Sequence, residues 1–168
     1  YVETAKRIAS ELPNSFYPDQ YNNEANWKAH YATTAHEIWW QTHGEITHFV
    51  AGLGTTGTFV GNTKRLKELN PNLRAYSVQP DSPLHGLEGM KHLGSARVPG
   101  IYDANLADEN LEIATEDAQG MTRKLAQKEG LFVGISSGAN VFAALRLAEN
   151  LKGKSVIVTV LCDGGNKY

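Results

Sequence analysis

The sequence predicts an α/β protein in three layers, a parallel sheet with helices on both faces, forming one domain over residues 1–168. Three features carry that expectation. Apolar segments of strand length alternate with helical ones along the chain. Residues 155–161 are a near-continuous Val/Ile run, the composition of a central parallel strand covered on both faces. Residues 46–51 run through a glycine-rich loop straight into an amphipathic helix, the order of a β-α unit.

The elements follow in order. Residues 2–12 have helical composition, Tyr1 reads as already helical, and Pro13 ends the segment. Asn26 is a suitable N-cap for one long helix running to Thr42, closed by His43 and Gly44. Residues 46–51 form a buried strand, and the helix beyond the glycine loop carries Phe59, Val60, Thr63, Leu66 and Leu69 before stopping at Asn70-Pro71. Residues 73–79 form the next strand. The irregular stretch 84–110 is too long for an idle connector, which marks it as functional or as an edge feature. A short strand over 111–114 precedes a helix capped by Thr115, with Ala118, Met121 and Leu125 on one face. Ser137 or Gly138 opens the last helix, apolar nearly all round and so expected to be buried.

Composition bounds the function. With 41% hydrophobic residues in 168, the chain is long enough for a sizeable core. A formal charge of −2 argues against a dedicated nucleic-acid binder. The six histidines show no metal-ligand spacing with the single cysteine, Cys162, so no metal is expected. One cysteine excludes an internal disulfide and fits a reducing cytoplasm. No apolar run is long enough to span a bilayer and no signal peptide is visible. Small-molecule partners are therefore expected, rather than nucleic acid or membrane.

The most specific chemistry lies in residues 52–58, Gly-Leu-Gly-Thr-Thr-Gly-Thr. Glycines let the backbone turn with its N–H groups inward, and the following helix adds its positive end. The hydroxyls of Thr55, Thr56 and Thr58 can donate further bonds to phosphate oxygens. The loop also satisfies the dinucleotide pattern Gly-x-Gly-x-x-Gly, but that reading wants an acid at the end of the next strand. Gln79 stands there, and the nearest acid, Asp81, lies in a proline-flanked loop. Two further loops sit at strand or helix ends, Gly134-Ile135-Ser136-Ser137-Gly138 and Cys162-Asp163-Gly164-Gly165. Taken singly, the first reads as an N-cap and the second as a strand-exit turn.

Together with the Gly-Leu-Glu-Gly stretch at 86–89, and with Asp19-Gln20-Tyr21-Asn22-Asn23 upstream, these loops resemble the cysteine synthase family. The Thr-Thr pair and the Cys-Asp pair look closer to its B-form. The resemblance covers essentially all 168 residues. It implies a pyridoxal-phosphate-dependent, β-replacing enzyme of the tryptophan-synthase-β fold type. O-acetylserine, or a related activated serine, would lose its Cα proton and its acetate, and a sulfur donor would add to give cysteine. Position by position, Gly54, Thr55, Thr56, Gly57 and Thr58 match the cofactor's phosphate loop. Ser136 matches the serine at the pyridine nitrogen, and Cys162 and Asp163 flank the ring. Gln20 and Tyr21 match residues at the substrate carboxylate and pocket wall, and Gly89 lies in the active-site loop. A homodimer is implied for the complete protein.

One family feature is missing. The Schiff-base lysine belongs to a Ser-x-Lys-Asp-Arg context, and none of Lys64, Lys67, Lys91, Lys152 or Lys154 sits in one. The chain thus corresponds to roughly the second half of the catalytic unit, with no catalytic residue of its own, and alone should not turn over. His36 stands where the family usually shows proline, and Asn166-Lys167 where an acid or glycine plus arginine is common. The competing readings are a Rossmann-type nucleotide-binding domain and a non-catalytic module that binds a phosphorylated ligand or a partner.

Overall fold

The computed structural model describes residues 2–168, so the expected helicity at Tyr1 lies outside the described residues. Four parallel strands form one sheet: β1 (His48–Gly52), β2 (Arg74–Pro80), β3 (Glu109–Ile113) and β4 (Ile157–Thr159), in spatial order β3-β2-β1-β4. His48 is in register with Arg74 on one side and with Ile157 on the other. The side-chain alternation of β1 builds two cores. Phe49 and Ala51 point to one face, against α3 (Thr34–Gln41) and α4 (Gly57–Leu69), where they meet Ile38, Phe59 and Leu66. Val50 points to the other, with Tyr76, Val78, and Ala118, Ala139 and Ala143 from α5 (Thr115–Lys124) and α6 (Ile135–Asn150). The three-layer α/β arrangement expected from the sequence is the observed one.

Several local expectations are corrected. The segment after Asn26 is two helices, α2 (Ala25–Ala32) and α3, broken at Thr33 with φ −123° and ψ −74°. Asn26 does not cap them. It lies inside α2 and sends its side chain to the Gln20 carbonyl, just before the helix, and to Thr55 in the loop beyond β1. Thr115 does not cap α5 either; its hydroxyl accepts the backbone N–H of Gly86 at 3.0 Å. Helix α6 begins at Ile135, and only its first half is buried: Leu145 is 49% exposed. The run at 155–161 contributes just three strand residues, and β4 is an edge of the described sheet, half-buried rather than covered on both faces. Val and Ile content alone does not separate an edge strand from a central one. The first helix, α1 (Val2–Glu11), and the irregular path from 84 to 108 are as expected, apart from a 3₁₀ turn at Ala104–Leu106. Of the tryptophan pair, Trp39 packs against the first core while Trp40 is exposed.

Candidate active site

The chain runs outward from β1 to β2 to β3 and then returns to place β4 on the opposite side of β1. That reversal makes the β1/β4 pair a topological switch point, and ligands of open α/β sheets collect at the carboxyl ends of strands there. A crevice of about 270 Å³ opens at this place. Its wall brings together Gly54, Thr55, Thr56 and Thr58 from the loop after β1, Gly89 from the irregular segment, Ser136 from α6, and Cys162 and Asp163 beyond β4. Eight of the residues singled out in the sequence thus meet in one space, although more than 100 residues separate the first loop from the last. Gly57, Gln20 and Tyr21 are not part of that wall. A Cβ on Gly57 would collide with the Asn26 side chain, Gln20 presents its carbonyl to Asn26, and buried Tyr21 packs its ring under the Lys91 ammonium at 5.1 Å.

The loop is unusually committed. Thr56 precedes α4 in the left-handed region, φ 71°, a conformation costly for a β-branched residue. It is 2% exposed, and its hydroxyl is buried without a hydrogen-bond partner. A Cβ on Gly54 would collide with the carbonyl oxygen of Gly89, so this glycine is required for the close approach of the two loops. Gly89 itself sits at φ +82°.

On the opposite wall, the Ser137 hydroxyl accepts the backbone N–H of Cys162 at 2.9 Å. Asn140, fully buried, donates to the Val160 carbonyl at 2.9 Å and to the Cys162 sulfur at 3.7 Å, leaving its own oxygen buried without a partner. Burial pushes the Cys162 thiol pKa up, assisted by the Asp163 charge and opposed by bonds from Ser136 and Asn140. Cys162 therefore stays a thiol at neutral pH and serves as wall rather than nucleophile. Asp163 holds the Tyr168 hydroxyl at 3.0 Å and its carbonyl accepts the Gly134 N–H at 3.0 Å, beside the start of α6. Burial, then the Asp163 bond, raise the Tyr168 pKa, keeping the phenol protonated. Asn140, Tyr168, Glu88 and Met90 also reach the crevice, and none of the four is assigned a site role in the sequence reading. Asn140 was within reach of pattern reasoning, since it lies one helical turn beyond Ser136 on the same face.

Gln79, in the place of a ribose acid, is already engaged: its carbonyl oxygen accepts the Leu93 N–H and its amide donates to Glu112. The nearest acid, Asp81, follows β2 directly but is not part of the crevice wall.

An open parallel sheet with a phosphate-type loop at its switch point defines a cofactor-binding α/β enzyme fold, and the comparisons state which one. The chain belongs to the pyridoxal-phosphate dependent enzyme family, which it matches over residues 1–163. It is 52% identical over 167 residues to a cysteine synthase of Aquifex aeolicus, covering 97% of this chain and 51% of that protein. It is 40% identical to cysteine synthase B of Escherichia coli, covering 99% of this chain and 55% of the relative. The crystal structure of an O-acetylserine dependent cystathionine beta-synthase from Helicobacter pylori superposes with a TM-score of 0.92 at 37% identity, over 99% of this chain and 56% of that one. The chain thus spans about half the length of the curated relatives it matches.

The residues present fit pyridoxal phosphate. Its phosphate needs hydrogen-bond donors, and the crevice offers the partnerless Thr56 hydroxyl at the start of α4, flanked by Thr55 and Thr58. Its ring nitrogen needs one polar neighbour on the far wall, where Ser136 stands. Among the described residues, no lysine lines the crevice. Lys67 pairs with Asp108 at 2.8 Å, Lys154 with Glu45 at 3.0 Å, and Lys64 and Lys91 lie over aromatic rings.

Proposed function

We propose that this chain forms the cofactor-holding part of an enzyme that makes cysteine by β-replacement, from O-acetylserine or a related activated serine and a sulfur donor. The observation that carries the proposal is the meeting of the 54–58 loop, Ser136 and Cys162-Asp163 at one switch point, in a member of this family. Bound pyridoxal phosphate supplies an electron-withdrawing ring that makes a substrate Cα proton removable. Gly54, Thr55, Thr56 and Thr58 bind its phosphate, and Gly57 lets α4 start close against Asn26. Ser136 donates to or accepts from the ring nitrogen without being an acid that could keep it charged, which suits elimination over chemistry needing a long-lived carbanion. Gln20, Tyr21 and the Gly89 loop shape the substrate end. The lysine that anchors the cofactor and moves the Cα proton lies outside residues 1–168, and these residues alone do not turn over.

The two cores share one sheet, which supports reading residues 1–168 as one domain. We place the protein in the cytoplasm as a homodimer. No helix among the described residues is long and apolar enough to cross a membrane.

Titration with pyridoxal phosphate, read by absorbance and fluorescence before and after borohydride, tests the proposal. Saturable binding that weakens in Thr58→Ala, with no lysine of residues 1–168 fixed by borohydride, is the expected result. Binding of NADH in its place would move the argument to a nucleotide domain. The Helicobacter relative motivates a second reading of the sulfur donor, so sulfide and homocysteine should be compared as co-substrates of the intact protein.

A further inference from the structure

Helix α2 has no buried residue, yet it is pressed tightly on α4: a Cβ on Gly61 would collide with the Trp27 carbonyl and come within 2.8 Å of the His30 Cβ. Its place in the fold is not explained by core burial. Two of its side chains, one turn apart, reach beneath the loop instead. Asn26 Nδ2 donates to Thr55 Oγ1 at 3.0 Å, and His30 Nε2 lies 3.2 Å from Thr58 Oγ1. We propose that Asn26 and His30 are positioning residues that fix the hydroxyl directions of Thr55 and Thr58, and so set the loop's affinity for phosphate; this rests on the phosphate reading above.

The physical case starts from charge. Among the described residues, the charged side chains of the crevice wall are Glu88 and Asp163, and no lysine, arginine or histidine lines it. An anion there must be held by backbone N–H groups and hydroxyl protons, so the direction of each proton matters. A hydroxyl that turned its lone pairs inward would repel a phosphate oxygen. Asn26 donates, which occupies the Thr55 oxygen from the α2 side and leaves its proton for the crevice. His30 does the same for Thr58 when its single proton sits on Nε2. The other ring nitrogen, Nδ1, is 3.1 Å from the Thr34 hydroxyl, which can supply the proton that selects this tautomer. Burial lowers the His30 pKa, in keeping with a neutral ring carrying one N–H. Thr56, whose hydroxyl has no protein partner, is left to the anion alone.

The test compares dissociation constants of the intact protein for pyridoxal phosphate and for pyridoxal, which lacks the phosphate, together with the ³¹P shift of the bound cofactor. His30→Phe and Asn26→Leu should each lower the preference for the phosphorylated form about tenfold, the size of one bond to a charged group, and move the ³¹P shift. His30→Gln, which keeps a donor near the Nε2 position, should restore most of it. Thr34→Val, on the helix beyond, should give a smaller loss in the same direction and serves if His30→Phe does not fold. A purely structural role would lower the unfolding temperature and weaken both ligands equally. An unchanged preference in the α2 variants, with a reduced one in Thr58→Ala, would overturn the proposal while leaving the phosphate reading intact. A wild-type protein with no preference for the phosphorylated form would overturn both.

Discussion

The Ser137 hydroxyl accepts the backbone N–H of Cys162 at 2.9 Å, tying the first turn of α6 to the exit of β4 across 25 positions of sequence. Adjacent Ser136 faces the crevice instead. Two neighbouring serines thus divide into one that holds the wall together and one presented to a ligand.

Removal of the first should cost stability. Ser137 is fully buried, and Ser137→Ala leaves the Cys162 N–H without its acceptor, a loss of about 1–3 kcal/mol. Ser136→Ala, which removes a bond to the Cys162 thiol rather than to a backbone N–H, should cost less than Ser137→Ala while altering the absorbance of bound pyridoxal phosphate. Paired denaturant melts and spectra check this, and equal destabilisation by both variants would refute the division of roles.

The approach of Gly54 to Gly89 predicts a binding defect. In Gly54→Ala the new methyl meets a backbone carbonyl rather than a flexible side chain, so one loop must shift. Pyridoxal phosphate affinity should fall at least about tenfold. Isothermal titration measures it; wild-type affinity in Gly54→Ala would mean the loops yield without disturbing the cradle.

Asp108 makes stability depend on acid pH. Its carboxylate is desolvated, which would raise the pKa. The Ala75 N–H at 2.7 Å, Lys67 at 2.8 Å and Arg74 at 3.2 Å outweigh this and hold it below its ordinary 3.8. A depressed folded-state pKa means the stabilisation is fully present above the unfolded value, and is lost as pH falls through the lower folded value. Asp108→Asn should therefore be destabilised relative to wild type at pH 7, with the gap closing below about pH 3.8. Urea midpoints at pH 7, 4 and 3 give the answer, and a gap constant over that range would exclude the linkage.

Packing of α2 on α4 predicts the effect of Gly61→Leu. The added side chain would meet the Trp27 backbone and His30, forcing the helices apart at a cost of about 1–3 kcal/mol. Thermal unfolding reads the loss. The ring contact between Trp27 and Lys64, now 4.6 Å, should open with it and change the tryptophan fluorescence.

By itself the sequence determined the α/β class, the phosphate-type loop and the family. The first two follow from local composition, apolar runs with periods of two and 3.6, glycines where backbone must turn and hydroxyls beside them, whereas the family rests on the resemblance of the assembled loop motifs. It did not determine which polar side chains serve their own helix and which serve a distant loop. Asn26 and Thr115 both have cap chemistry, yet each bonds a segment 29 positions away, to Thr55 and Gly86 respectively. A hydroxyl or amide satisfies a local N–H and a remote one about equally well, so tertiary proximity decides between them. The same holds for residues 155–161, where Val and Ile promise a strand but only the pairing with β1 makes three of them one, at an edge. The tertiary structure alone also brought Ser136, Cys162 and the threonine loop into one crevice, because strand order, and not strand sequence, fixes where a sheet reverses.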